Sequence, residues 1–284
     1  LFPYTTLFRS FLSDDQRVSL GLGTGSRSWP VRRLGADPAR IRWKGLHDVP
    51  AVLVTGTNGK TTTVRLLGAI ARAAGIVAGA TSTDSLQIGE QVIAEGDYSG
   101  PKGARTILRD HRVQLGILEV ARGGILRRGL PIGTVTAAVV TNVAEDHLGE
   151  YGIFDTDALA DTKMVVAGAV GPNGRVVLNA DDSRLLERGR LLPTPVLWCT
   201  LDAGHAEVLA HRARGGDAAW LDGSALWLAA SGQVTRIVDA PDVPISFGGA
   251  ARYNLMNALA AIGAASALAL PTVSRTGERM ATKA

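Results

Sequence analysis

From position 51 the chain alternates short apolar runs with longer stretches of helical period, each bounded by turn-forming residues. The runs at 51–55, 76–80, 115–120, 137–141 and 175–178 are rich in Val, Ile, Leu and Ala and too short for helices, so they predict buried strands. The stretch beginning at Lys60 and those at 104–110 and 156–170 predict helices. Alternation of this kind buries a mostly parallel sheet between two helical layers and places ligands at the carboxyl ends of the strands. The expected class is an α/β three-layer fold.

The pattern shifts after position 195. Runs at 206–210, 225–229 and 233–238 are separated by Gly-Gly, Asp-Gly and Ser-Gly pairs, which predict hairpins and a small antiparallel β insertion or extension over about 201–247. A last helix at 253–268 is expected to return to the sheet. Before position 51 the chain is rich in Gly, Arg and polar residues with no sustained period of 2 or 3.6, and 1–50 reads as an N-terminal extension or partial domain. Residues 1–10 (LFPYTTLFRS) resemble a translated adapter and are expected to be non-native, and 271–284 reads as a ragged tail.

Composition narrows the function. With 46% hydrophobic residues among 284, the chain can bury one large core, which the periodicity places in 51–270. The net charge of +4 is spread along the chain and argues against nucleic acid as the partner. A single cysteine, Cys199, can make neither an internal disulfide nor a cysteine metal cage, which suits a reducing, cytoplasmic setting. The apolar stretch 255–270 is short and interrupted by Asn257 and Ser266, so it predicts a buried helix and no membrane partner.

The densest chemistry follows the first strand. Gly56-Thr57-Asn58-Gly59-Lys60-Thr61-Thr62-Thr63 lies between an apolar run and a helix, the context of a P-loop. Gly56 and Gly59 let the backbone curl so that successive N–H groups face phosphate oxygens, with the helix N-terminus adding partial positive charge. Lys60 would reach the β- and γ-phosphates and the Thr61 hydroxyl a Mg²⁺ ion. Val54 holds the place where the general pattern has its first Gly, so this is the shorter G-x-x-G-K-T form. The fold expectation sharpens to P-loop NTPase-like.

That short form resembles the loop of Mur ligases and folylpolyglutamate synthases, and four further segments agree. Glu119-Val120-Ala121-Arg122-Gly123-Gly124 is similar to the strand-end Glu segment of the cyanophycin synthetase branch, Thr141-Asn142 through Asp146-His147-Leu148 to the family's Asn…Asp-His-Leu segment, and Asn179-Ala180-Asp181-Asp182 to its Asn-Ala-Asp-Asp turn. Arg252-Tyr253-Asn254 through Asn257 is similar to the His-Asn-x-x-Asn helix start, with Tyr253 in the place of His. The resemblance spans 52 to about 270.

The resemblance implies an ATP-dependent ligase that phosphorylates a carboxylate and lets an amine attack the acyl phosphate, with ATP and Mg²⁺ as cofactors. It implies catalytic roles for Lys60, Glu119, His147 and Lys163. The nucleotide would be bound by Gly56, Thr57, Asn58, Gly59, Lys60, Thr61 and Thr62 together with Asn179, Asp181 and Asn257. Magnesium would be held by Thr61, Glu119, His147 and Lys163, the last if carbamylated. Thr83, Asp84, Ser99 and Arg122 would face the substrate, an acidic acceptor joined to an amino acid such as arginine.

Other readings stay open at this point. Glu119 reads alternatively as a solvated rim residue and Lys163 as a helix-surface lysine, and Asn254 and Asn257 read also as helix caps. The substrate reads alternatively as a peptidoglycan precursor or a folate, and the chain as a non-catalytic ATP-binding module working beside a partner ligase subunit or a second copy of itself. The family's C-terminal domain is expected to be absent, the reading frame being truncated. A GTPase reading is poor, because no Asn-Lys-x-Asp segment is present to read guanine.

Overall fold

The computed structural model describes residues 10–33, 41, 43–145 and 149–271. A three-stranded antiparallel sheet comes first, from β1 (Phe11–Ser13), β2 (Arg17–Leu20) and β3 (Arg27–Pro30). Then follow β4 (Ala51–Thr55), α1 (Lys60–Ala73), β5 (Ala78–Thr81), β6 (Ser85–Ile88), β7 (Gln91–Glu95), α2 (Pro101–Leu108), β8 (Leu115–Glu119), α3 (Arg122–Arg128) and β9 (Val135–Val140). The remainder is α4 (Thr156–Met164), β10 (Val170–Asn179), α5 (Ser183–Arg190), β11 (Val196–Thr200), α6 (Ala206–Ala213), β12 (Ala218–Asp222), β13 (Ala225–Ala230), β14 (Gln233–Asp239) and α7 (Arg252–Ala267).

The large sheet has the order β14-β13-β12-β11-β10-β9-β4-β8-β5-β6-β7 and runs parallel from β12 to β5. Antiparallel strands close both ends. The inner strands read as unbroken apolar runs because they are covered on both faces. Leu53, Leu118, Ala138 and Val140 face a layer containing Ile107, Leu159 and Leu185 from α2, α4 and α5. Val52, Val54, Ile117, Ala137 and Val139 face a layer containing Leu67 of α1 and Leu255 and Leu259 of α7.

Sequence order reverses across β4. The chain runs β4, β5, back to β8 between them, then crosses to β9 on the far side of β4 and continues outward. A crevice opens at the carboxyl ends of the strands at such a switch point, and here the Gly56–Lys60 turn leaves β4 directly into it. The mixed α/β class expected from the periodicity is what the structure has.

Three local expectations change. Residues 206–210 are helical, as the first part of α6, and not a strand: Ala206, Glu207, Leu209 and Ala210 are good helix formers, and the helical turn carries Val208 into the core. The hairpin of β13 and β14 does form, but it prolongs the large sheet beyond β12. Residues 10–33, which lack periodicity, carry β1 to β3 and are held by contacts distant in sequence. Arg109 donates to the Asp14 carboxylate, the Ser19 hydroxyl (2.7 Å) and the Leu12 and Arg17 carbonyls, and Thr24 N–H donates to the Val113 carbonyl at 2.8 Å.

Candidate functional site

The loop after β4 adopts the conformation its glycines permit. Gly56 has φ +146° and Gly59 φ +82°, a region that L side chains rarely occupy. Space forbids a side chain as well. A Cβ on Gly56 would sit 1.9 Å from Thr141 Oγ1, and one on Gly59 2.1 Å from Asn257 Oδ1. Lys60 begins α1, and its Nζ donates to the Gly56 (3.1 Å) and Thr57 (2.9 Å) carbonyls, so the ammonium lies over the loop. Thr62 is in the first turn of α1. The helix then closes at Gly75 with bonds from Gly75 N–H to the Arg72 carbonyl and from Ile76 N–H to the Ala71 carbonyl.

The segment after β9 clamps this loop. Asn142 accepts from Asn58 N–H (3.0 Å) and donates to the Asn58 carbonyl (3.1 Å), which also accepts from Thr141 Oγ1 at 2.6 Å. Thr57 N–H donates to the Asn142 carbonyl at 2.9 Å, and the Thr57 hydroxyl accepts from Ala144 N–H at 3.0 Å. Asp182 anchors the clamp in turn by accepting from Val143 N–H (2.6 Å) while capping α5 through Arg184 and Leu185 N–H. The roles of Thr141, Asn142 and Asp182 in shaping the loop were not legible beforehand. The resemblance marks all three as parts of family-like segments, Thr141-Asn142 after an apolar run and Asp182 in the Asn-Ala-Asp-Asp turn, but gives them no role in shaping the loop.

Thr61 and Glu119 converge. The Thr61 hydroxyl donates to Glu119 Oε2 at 2.8 Å and lies 3.2 Å from the Thr83 hydroxyl. Glu119 is 2% exposed, so it is not a solvated rim residue. Burial raises its pKa above the usual carboxylate value, and the Thr61 hydrogen bond, the Lys60 charge and the Thr83 backbone N–H offset this only in part. Its second oxygen, Oε1, is buried with no hydrogen-bond partner among the described residues. An anionic oxygen left bare beside a hydroxyl oxygen suits a hard divalent cation. Among the described residues no three of His, Cys, Asp and Glu cluster as a metal cage.

Of the other expected ligands, His147 lies outside the described residues, together with Asp146 and Leu148. Lys163, in the last turn of α4, is 1% exposed. It is therefore not a surface lysine. Asn254 and Asn257 are not helix caps either: Ala251 occupies the cap of α7, Asn254 donates to the Ile245 carbonyl (2.7 Å), and Asn257 covers Gly59. Asn179 accepts from Asp181 N–H at 3.0 Å, and the Asp181 carboxylate accepts from the Thr200 hydroxyl and Leu201 N–H.

The expected substrate residues separate into two places. Thr83 and Asp84 sit beside Thr61, with Asp84 held by Arg65 at 2.6 Å. Ser99 and Arg122 line a cavity of about 530 Å³ that continues from the end of β8. Ser99 is bound to Asp97 Oδ1 (2.6 Å) and Arg122 to Glu150 (2.9 Å), while the Arg127 guanidinium lies 5.5 Å from the centre of the Tyr151 ring. A larger cavity, about 730 Å³, lies between α1 and β5 to β7 and contains none of the loop residues from Gly56 to Thr62.

The Mur ligase middle domain family matches residues 54–265. The cyanophycin synthetase of Nostoc sp. is 42% identical over 213 residues, 75% of this chain and 24% of that protein. The UDP-N-acetylmuramoyl-L-alanyl-D-glutamate--2,6-diaminopimelate ligase of Chlorobium phaeobacteroides is 31% identical over 78% of this chain and 43% of that protein. The chain thus spans about a quarter of the first relative and less than half of the second. A solved structure of a diaminopimelate ligase superposes with a TM-score of 0.57 at 20% identity, covering 78% of this chain and 45% of that one. A folylpolyglutamate synthase/dihydrofolate synthase solved with Mn, AMPPNP and L-glutamate superposes with a TM-score of 0.51 at 20% identity, covering 78% and 54%. These two likenesses establish a common fold.

Proposed function

The chain belongs to the Mur ligase family through its middle domain, and from that premise we propose that it is the ATP-binding part of an amide-forming ligase. The observation that carries this is the pairing of a phosphate loop with a buried carboxylate: Lys60 over the loop, and Thr61 hydrogen-bonded to Glu119, whose other oxygen is bare. In this reading the backbone N–H groups of residues 56–62 hold the triphosphate and Lys60 neutralises its terminal charge. Thr61 and Glu119, and by the family resemblance His147 and Lys163, would hold Mg²⁺, which would supply charge neutralisation at the γ-phosphate. A carbamylated Lys163 would present a carboxylate-like oxygen donor in place of the ammonium.

The acceptor is proposed to occupy the cavity of Ser99 and Arg122, where Arg127 and Arg128 add positive charge beside the end of β8. Such a site suits an acidic chain, and the identity with cyanophycin synthetase favours an aspartate-rich acceptor joined to arginine. A carboxylate oxygen of the acceptor attacks the γ-phosphorus as the bond to ADP breaks. The amine nitrogen then attacks the acyl carbon, phosphate leaves, and the amine loses a proton to solvent. A reducing, cytoplasmic setting belongs to the same proposal and suits the buried thiol of Cys199. No helix among the described residues is long and apolar enough to cross a membrane. The proposed division is 51–270 as the ATP-binding domain, 1–50 as an extension and 271–284 as a tail.

Calorimetry with ATP, with and without Mg²⁺, tests the binding half; tight binding that needs the metal is the expected result. Phosphate release in the presence of arginine and an aspartate-rich peptide tests the chemistry. Release only with a nucleotide-linked muropeptide or a folate would move the substrate to the other branches of the family, and ATP binding without release under any acceptor would favour a non-catalytic module.

A further inference from the structure

We propose that Glu150 is a built-in substitute for the acceptor: its carboxylate holds the place on Arg122 that a carboxylate of the incoming acidic chain takes over. This rests on the acceptor reading above and deepens it. Arg122 donates to Glu150 Oε2 at 2.9 Å, and both residues line the cavity of about 530 Å³. The partners differ in standing. The Arg122 side chain is 9% exposed, on the first residue of α3, whereas that of Glu150 is 55% exposed. A guanidinium taken out of water needs an anion beside it. A carboxylate open to solvent has no such need, because water stabilises it nearly as well as the ion pair does. The pair can therefore exchange its anion, with Arg122 as the fixed member and Glu150 as the one that leaves.

The turn that carries Glu150 has a strained backbone. Gly149, Tyr151 and Gly152 have φ of +93°, +56° and +76°, and at Tyr151 this is a region that L side chains rarely adopt. Such a backbone persists where contacts hold it. Here they include the Arg122–Glu150 pair and the Arg127 guanidinium, 5.5 Å from the centre of the Tyr151 ring. An acceptor carboxylate replaces the first of these contacts, and the second keeps the turn against α3. Glycine leaves room for the acceptor. A Cβ on Gly124 would lie 3.4 Å from the Ser99 carbonyl, so no side chain narrows the gap between α3 and the Ser99 loop at that point. Binding is then an exchange at the guanidinium: one carboxylate arrives, Glu150 passes to water, and Arg122 stays paired. A neutral chain cannot make that exchange, and an acidic chain binds with an affinity lowered by the competition.

The test is calorimetry with a short poly-aspartate peptide as the probe. Wild-type protein is expected to bind it, and Arg122→Ala to bind it about tenfold more weakly, the loss of a charge-assisted contact. Glu150→Gln should bind it about two- to fivefold tighter, the range for releasing an ion pair partly open to water. In the Arg122→Ala background the same Glu150→Gln change should gain nothing, since no guanidinium is left to compete for. A general effect of charge near the cavity would persist in that background. Because the Glu150 side chain is exposed, Glu150→Gln should melt with the wild type, which a thermal scan verifies. Unchanged or weaker binding in Glu150→Gln, or a gain that survives Arg122→Ala, would overturn the inference. Wild-type and Arg122→Ala proteins that bind the peptide alike, or a wild type that binds Mg·ATP but no peptide, would instead defeat the acceptor cavity itself, and this inference with it.

Discussion

Glu119 meets two opposing demands with one side chain. Its carboxylate is buried at the end of β8, beside the Thr61 hydroxyl where we propose a cation binds, and burial without a cation disfavours the charged form. A carboxyl whose folded pKa is raised holds its proton longer in the folded than in the unfolded chain. Stability then falls as pH rises from the ordinary carboxyl value of 4.5 through the folded value, and the full penalty is present above it. Glu119→Gln is therefore expected to melt higher than wild type at neutral pH, with the gap closing below about pH 4.5, and to lose Mg²⁺-dependent binding of ATP. Thermal melts across pH check the first half; a variant no more stable than wild type would refute the burial argument. Gly59→Ala tests the opposite kind of constraint. Its left-handed φ costs an Ala about 1–2 kcal/mol, and the collision with Asn257 adds to it. Denaturant titration should show at least that loss, with weaker ATP binding beside it.

At the scale of elements, the phosphate loop is shaped from outside. The segment after β9 bonds to Thr57 and Asn58, and Asp182 fixes that segment while capping α5. Removing the Asp182 carboxylate should cost about 0.5–2 kcal/mol for the cap and also lower ATP affinity, although residue 182 has no proposed contact with the nucleotide. Asp182→Asn should recover much of the stability, because Asn caps nearly as well as Asp. Chemical denaturation and calorimetry on both variants separate the two effects. The helices α1 and α7 were readable in advance because α1 carries an amphipathic period and α7 a continuous Ala-rich apolar run. The run at 206–210 reads as a strand because five residues of mixed pattern satisfy either period, and only the core that receives Val208 selects the helix.

For the molecule as a whole, the three-stranded sheet at the start of the chain is joined to the α/β body through Arg109. The Arg109 guanidinium holds the Asp14 carboxyl down at a pKa of about 2. A depressed carboxyl contributes stability that is present above its ordinary 3.8 and is lost as pH falls through about 2. Hydrogen exchange in β1 to β3 should accelerate over that window, and Arg109→Ala should accelerate it at neutral pH, leaving β4 and β8 protected. Uniform loss of protection across both sheets would show that the two do not separate. At saturating ATP the body should gain about 2.7 kcal/mol at a hundredfold excess over Kd, a shift that EDTA should abolish.

What the sequence alone determined is what neighbouring residues dictate to one another. The inner strands announce themselves because burial on both faces demands unbroken apolar runs, and the phosphate loop because a tight left-handed turn before a helix demands Gly56 and Gly59. The hairpin of β6 and β7 escaped notice since its outer strand leaves Val92 and Ile93 exposed, so no face alternates. Convergence was decided by the tertiary structure. Thr61 meets Glu119 across 58 positions because β8 lies beside β4, and Thr141 meets Gly56 because β9 lies on its other side. Local periodicity tells a strand that it is buried but not which strand it lies beside, and at this site strand order places the bare oxygen of Glu119 next to the Thr61 hydroxyl.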